Sequence, residues 1–505
     1  MSKRTGVFVL MFFIGNIVII AISAPCISDD SEIININEQT GHEASHVDIG
    51  LSSSGNLWLL ESKDSCDCIT KQYSLQPCKV FGLNFGPHTK EWQDPNQGIG
   101  VSEEQIRELL GIISPFTDWI RIYSCVEAVE TVNNTSFAHE LGFKVACGVW
   151  LSNNLTRNEK EISCAIDIAR AGDVDLLIVG SEVIYRNELT ENQLIEYINE
   201  VKTACAEIPV AYADVYYEFF KHPKLISAVD VVMPNYYPFT YGAKIDYAVY
   251  LLHLWHREVV EMAEGKPVIV SETGWPSEGE SYGEAVSSLE NASFYFQNFV
   301  SWALAENVSY FYFEAFDEPW KARYESPGAA HLGIWDKEGN LKPGMERVFD
   351  CKIIPNNWEI EPINGPGDPA IEFTDIPRFG SLFDDLSGRV SHVKPGDCRV
   401  AVYTKIGDEW WTKPPFDDPR ILIWPDGKWS CMITPGKAGA FATKIVAYLL
   451  PYDYSPPILS GESTLPSELD EHALAMVMAT RPDYKACNLF FQNILEKYLY
   501  LFPTH

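Results

Sequence analysis

Short apolar runs and amphipathic stretches take turns along residues 80–350. The apolar runs are VFGLNF (80–85), WIRIYS (119–124), FKVACGVW (143–150), VDLLIVGS (174–181), IPVAYAD (208–214), VDVVMPNY (229–236), KPVIVS (266–271) and SYFYFEAF (309–316). Between most of them lie helical patterns such as SEEQIRELLGII, NEKEISCAIDIARAG, ENQLIEYINEVKTACA, DYAVYLLHLWHREVVEMAE and ENASFYFQNFVSWALAE. Ser102, followed by Glu103 and Glu104, is a capped helix start. Near-continuous apolar strands alternating with amphipathic helices predict a parallel sheet covered by helices. Eight such units in this length predict a (β/α)8 TIM barrel over 79–351. A doubly wound open sheet is the alternative. It wants a Gly-rich phosphate turn after the first strand, and the stretch from Gly82 to Pro87 is not one.

The flanks differ in pattern. Residues 1–24 join a short basic start to an apolar run from Gly6 to Ile22 and then Ser23 and Ala24, which reads as a secretory signal peptide. Uncleaved, it would be a membrane anchor. Residues 25–78 are a polar, Cys-containing extension. Residues 352–380 have the Pro, Asn and Gly content of a linker. Residues 381–482 then alternate with a period of two (RVAVYTKIG, EWWTKP, RILIWPDGKWSCMIT), which predicts a small all-β sandwich. The tail, 483–505, reads as one amphipathic helix.

Secretion changes the reading of the 12 cysteines, which would mostly pair in an oxidising compartment. Cys66 and Cys68 with Cys78 suggest local stapling, and Cys398 and Cys431 flank a segment they can staple. No His or second CxxC completes a zinc set. Five sequons, at Asn133, Asn134, Asn154, Asn291 and Asn307, are usable only in a secreted chain. A formal net charge of −32, from 70 acidic against 38 basic residues, excludes a phosphate-backbone partner such as nucleic acid and suits a neutral ligand. Aromatics at 13%, with 14 Trp and 24 Tyr, match either large cores or the flat apolar faces of sugars. Trp410, Trp411, Trp424 and Trp429 pose the same choice for the sandwich; of the adjacent pair, alternation turns only one inward.

In such a barrel, functional residues sit at the C-terminal strand ends. The first run offers Asn84, the second Tyr123, the third Trp150, the fourth Ser181 and Glu182, and the fifth Asp214. The sixth ends with Asn235, Tyr236 and Tyr237, the seventh with Glu272, and the eighth with Glu314, Asp317, Glu318 and Lys321. Asp214 can equally cap a helix. His88, His253 and His256 read as surface or packing residues. No convergent His or Cys is present, so a Ser-His-Asp hydrolase is not favoured. Paired carboxyls suit glycosidic cleavage, where one protonates the leaving oxygen and the other attacks or activates water. A lone strand-end Glu is more often a cap or a surface charge. Two of them, Glu182 and Glu272, each behind a buried apolar strand and on opposite sides of the mouth, favour the catalytic reading. Trp275 then provides a wall for a pyranose ring.

These residues resemble glycoside hydrolase family 17, the β-1,3-glucanases. The likeness covers about residues 80–350 and rests on VGSEV (179–183), VIVSETGWPS (268–277) and YFYFEAFDEPWK (310–321). The resemblance implies Glu182 as proton donor and Glu272 as nucleophile, with retention of configuration and carboxyls about 5–5.5 Å apart. It implies that Glu318 and Lys321 tune the pair, and that Tyr123, Asn235 and Tyr236 line the glycone side. The clan usually carries Asn directly before the acid, where it bonds the sugar 2-hydroxyl; here Ser181 stands there. FEAFDEPWK is more similar to fungal and bacterial members, some of which transfer glucan rather than hydrolyse it.

The expected protein is a secreted, monomeric retaining hydrolase of β-1,3-glucan, needing neither metal nor organic cofactor. It is extracellular or wall-associated, or membrane-tethered if the leader stays. The alternatives are a β-1,3-glucanosyltransferase using the same pair, and a catalytically silent glucan-binding protein. The C-terminal β-domain resembles an accessory module beside microbial barrels of this type.

Overall fold

The computed structural model describes residues 77–126, 134–355, 358–381, 384–414, 419–433 and 438–481, and before residue 77 only the backbone of six strands. Expectations for the leader's side chains, for Cys66 and Cys68, for Asn133 and for the tail helix at 483–505 concern positions outside the described residues.

Seven parallel strands form the central sheet: β1 (Val80–Asn84), β2 (Thr117–Ile122), β3 (Lys144–Val149), β4 (Leu176–Ser181), β5 (Val210–Val215), β6 (Val231–Asn235) and β7 (Phe311–Tyr312). Their order is β6-β5-β4-β3-β2-β1-β7. The expected seventh strand, 266–271, is not a regular strand. It instead spans the gap between the two ends of this sheet through single parallel bridges, Val232 with Val268, Asn235 with Glu272 and Val270 with Tyr310. Hydrogen bonds from Ile269 N to Val232 O and from Phe311 N to Val270 O belong to the same seam. The result is a (β/α)8-like barrel.

Helices at Glu103–Ile113, Leu155–Ala171, Glu191–Ala204, Ile245–Met262 and Leu289–Ala305 connect these strands. The cap read from sequence is made, the Ser102 hydroxyl accepting from Gln105 N; the structure adds a capping box of Thr190 with Gln193. Inside the sheet, Ala146, Leu176, Ile178, Ala211, Ala213, Val231, Met233 and Phe311 pack into one apolar layer with Phe81, Trp119 and Ile269. Two residues further along the same strand faces, this layer is replaced by Arg121 and Asn235. The polar site therefore begins where the apolar filling stops.

The C-terminal region is a sandwich of two antiparallel sheets. One pairs Ala370–Asp375, Leu386–Ser391 and Lys428–Cys431; the other has five strands around Cys398–Ile406 and Lys444–Pro451. The first of these strands lies within the expected linker. AIEFTD alternates like an edge strand, a signal masked by the Pro- and Gly-rich sequence around it. Trp429 and Trp410 are core residues, whereas Trp411 and Trp424 are half-buried. The sandwich docks on the barrel helix Ile245–Met262. Arg257 bonds Gly396 O at 2.5 Å and lies over the Tyr452 ring, and Arg399 pairs with Glu258 at 3.1 Å.

Two cysteine expectations are corrected. Cys78 bonds Cys351, 273 residues away, rather than a near neighbour. Cys398 and Cys431 are free thiols that pack as small apolar groups in the sandwich core. Among the described residues no helix is long and apolar enough to cross a membrane.

The Cys78–Cys351 bond joins residues 273 apart in sequence, so in a chain-entropy account its loss is costly. Cys351→Ser should lower the thermal midpoint by about 5 °C or more. An unchanged melting curve by circular dichroism would show that the bond carries no stability.

Candidate active site

Glu182 and Glu272 both line one cleft of about 780 Å3 at the C-terminal strand ends. Their surroundings are opposite in character. Glu272, 7% exposed, accepts three hydrogen bonds: on Oε1 from Arg121 Nη1 at 2.7 Å and Tyr123 Oη at 3.1 Å, and on Oε2 from Tyr237 Oη at 2.8 Å. Its backbone is set by the bridge to Asn235 and by Tyr236 N donating to Glu272 O. Gly274 follows because a Cβ there would sit 2.1 Å from Phe313 O; the turn passes too close to β7 for any side chain.

Glu182 leaves β4 in the left-handed region, at φ +54°, with its N–H donating to Ala213 O at 2.8 Å. Non-glycine residues pay for that conformation, about 1–3 kcal/mol, so the surroundings must impose it. Tyr212 Oη accepts from Ile184 N, Asp214 accepts from Tyr185 N, and Arg186 donates to Ser181 O and Leu151 O. The side chain accepts one hydrogen bond, from Asn235 Nδ2 at 2.8 Å. Burial, then the charge of Glu272, push its carboxyl from the ordinary 4.5 up to about 7, against the Asn235 bond. One carboxyl thus holds a proton near neutral pH beside another whose oxygens are all engaged as acceptors. That arrangement can donate a proton and present a nucleophile in one cavity.

Residues 82–331 match the BtgE/BtgC glycoside hydrolase domain family. They form a glycoside hydrolase domain. A relative from Aspergillus niger, named "Putative glucan endo-1,3-beta-glucosidase btgC", is 31% identical over 339 residues, covering 59% of this chain and 48% of the relative. The glucan endo-1,3-β-glucosidase btgC of Emericella nidulans is 27% identical over 305 residues, covering 54% and 46%. The chain thus spans just under half the length of these relatives. A family 17 β-1,3-glucanosyltransferase structure from Rhizomucor miehei is 30% identical and covers 53% of this chain and 96% of its own, with a TM-score of 0.47.

Tyr123, Trp150, Ser181, Glu318 and Lys321 line the hydrolase domain's cleft. Asn235 reaches it through Glu182. Asn84 stands one layer lower: its Nδ2 donates to Ser271 O and Phe311 O, and its Oδ1 accepts from Arg121 and Tyr123. Glu314 is buried against Lys321 at 2.5 Å, and Asp317 against Lys342 at 2.7 Å; neither faces the cleft. Asp214 is fully buried and holds the loop after Glu182 rather than lining the cavity.

Three further placements differ from expectation. Trp275 is 1% exposed, bonds Val286 O and packs on Phe239 and Tyr295, because the Gly274 turn directs it behind the site. Tyr236 points outward to His256 and Trp255, and its neighbour Tyr237 reaches Glu272 instead; successive residues leaving a strand take opposite faces. His88 lines the cleft, its N–H donating to Glu318 Oε1 at 3.1 Å. His256 is a packing residue, its ring lowered to about 4 by burial. In the cleft wall, burial alone would raise Glu318, but the Lys321 ammonium at 2.9 Å outweighs it and holds the carboxyl at about 2. Burial raises Glu314 well above the ordinary value.

Arg121 is the residue that sequence reasoning missed. It is 1% exposed and bonds Glu272, Ser181, Asn84 and Ser271 O together. Its signal was present: a charged residue two before Tyr123, in an otherwise apolar strand, must point the same way as Tyr123. Among the described residues no cluster of three or more His, Cys, Asp or Glu is placed to hold a metal.

A carboxyl at about 7 in the folded state and near 4.5 unfolded weakens the fold as pH rises between those values. The cost reaches about 3 kcal/mol above pH 7. Glu182→Gln removes that cost, so the variant should melt above wild type at pH 8 and converge with it near pH 4. A gap that is constant with pH, by calorimetry, would contradict the shift. Trp275→Ala opens a core cavity and should cost about 3–5 kcal/mol in denaturant unfolding; a cost near zero would place the indole at the surface.

Proposed function

We propose that this domain cleaves β-1,3-linked glucan with retention of anomeric configuration, Glu182 serving as acid/base and Glu272 as nucleophile. The observation that carries this reading is the opposed environment of the two carboxyls in one cleft. Glu272 is locked by Arg121, Tyr123 and Tyr237, and Glu182 is raised to about 7. The linkage is supported by the curated relatives, which are named glucan endo-1,3-β-glucosidases.

In the first step the Glu182 carboxyl gives its proton to the glycosidic oxygen while a Glu272 oxygen attacks C1. The C1–O bond breaks, the leaving chain departs as an alcohol, and an ester joins C1 to Glu272. Esterification removes the Glu272 charge that helped to raise Glu182, so Glu182 becomes more acidic as it changes role. As a carboxylate it takes a proton from water; the hydroxide attacks C1 and Glu272 leaves. Arg121 positions the nucleophile and faces its charge before the ester forms and again once it leaves. The Ser181 hydroxyl, held by Arg121 at 3.1 Å, stands beside the acid and bonds the sugar directly or through water. The chain acts outside the cell, a reading supported by the Cys78–Cys351 bond.

Mass profiles and anomeric NMR of the first products from a defined β-1,3-glucose oligomer test the reaction. Shorter oligomers released first as the β-anomer are expected. Oligomers longer than the input would mean that a sugar hydroxyl intercepts the ester, making the enzyme a transferase. The α-anomer would remove the double displacement, and no turnover would remove the enzymatic reading. Glu272→Gln should remain folded and lose at least about 10³-fold in kcat. Azide should rescue a Glu182 truncation, giving a glycosyl azide, but not Glu272→Gln. Because Glu182 must be protonated in the free enzyme, kcat/KM should fall above about pH 7. Tyr237→Phe, which frees one nucleophile oxygen, should lower kcat/KM by about 10-fold or more.

A further inference from the structure

We propose that Cys125 and Cys147 form a second disulfide, one that sets the cleft wall built from the ends of β2 and β3. Their sulfurs lie 3.0 Å apart, both buried. Non-bonded heavy atoms normally rest about 3.5–4.0 Å apart. Closing to a bond length of about 2.05 Å asks for a movement of roughly 1 Å, within the reach of small side-chain rotations.

The backbone on both sides is already in place. Cys147 sits in β3, paired in register with Ile122 of β2. Cys125 follows three residues later, its N–H held by Glu161 Oε2 at 3.0 Å. Gly148 lets the strands approach closely there, since a Cβ on it would meet Tyr123 O at 2.4 Å. The chain already carries one disulfide, Cys78–Cys351, so oxidation of a second suited pair needs no new condition. Burial pushes the Cys125 thiol well up, which makes the finished pair slow to exchange once folding has enclosed it.

The consequence lies at the cleft. Glu161 accepts from Ser124 Oγ at 2.6 Å, Cys125 N at 3.0 Å and Trp150 N at 3.2 Å. This single carboxylate therefore gathers the ends of β2 and β3, next to Tyr123 and Trp150 of the cleft lining. The disulfide adds a covalent tie between the same two strands, immediately beneath the polar one. Cys164 is the rival partner: its sulfur lies 3.3 Å from Cys125 O. The oxidant is a disulfide donor, a protein dithiol oxidoreductase or oxidised glutathione. One Cys thiolate attacks the donor's disulfide, and the second Cys displaces the donor from the mixed disulfide. Two electrons and two protons pass to the donor, which leaves as thiols.

The test uses the full chain expressed through a secretory route. It is denatured without reductant in an alkylating agent, deglycosylated and digested with trypsin. The three cysteines fall in separate peptides, 122–144, 145–157 and 161–170. The expected product is 122–144 joined to 145–157, two hydrogens lighter than the sum of the two. Alkylated Cys125 and Cys147, or a link from Cys125 to Cys164, would overturn the proposal. Cys125→Ala and Cys147→Ala should each lower the thermal midpoint by about 6 °C, and the double variant no further. Additive losses would mean two separately packed thiols. Neither readout depends on turnover, so the proposal stands or falls apart from the reaction.

Discussion

The Arg121–Glu272 ion pair at the barrel mouth is the contact on which the site depends. A guanidinium 1% exposed at the top of an apolar layer is expensive unless every direction it faces is polar. It is met by Glu272, Ser181, Asn84 and a main-chain carbonyl, which come from β1, β4 and the seam segment. The cation therefore requires the sheet to be wrapped round upon itself. An open sheet would bring the fourth strand and the 268–272 segment to different places. The seam at 268–272 is the least regular part of the barrel, and this pair ties it across the mouth.

Around that pair the charge is graded. The acidic side chains near the cleft are kept apart in protonation by what each one touches. Glu318 has Lys321 and stays charged; Glu314, a few ångströms away and deeper, is pushed the other way. Glu182 has one amide donor and an anionic neighbour, and it holds a proton near neutrality. The strongly negative chain thus carries its functional asymmetry in local donors rather than in its net charge. Stability is spent at these positions: a left-handed glutamate and buried charges are features a purely structural barrel would avoid.

The sandwich is carried on the helix that follows β6, through arginines whose stems and charges are both used. Arg257 and Arg399 share the Tyr452 ring as well as their polar partners. Two of its four tryptophans fill its own core, so composition overstated the aromatic surface available for a ligand.

The sequence alone determined the alternating barrel pattern, the β-rich C-terminal region and the two strand-end glutamates. Those features rest on local period and on which residue ends a strand, and both are written in short windows. It also held the lumen signal for Arg121, since 119, 121 and 123 share one face. Tertiary structure alone decided what each side chain meets. Tyr237 rather than Tyr236 reaches Glu272, Trp275 turns into the core, His88 turns into the cleft, and Cys78 finds Cys351. The reason is one of scale. A strand's period fixes direction only while the strand lasts, and these residues lie in the turns beyond it. There, direction is set by a close approach such as Gly274 against Phe313, made by residues far apart in the chain.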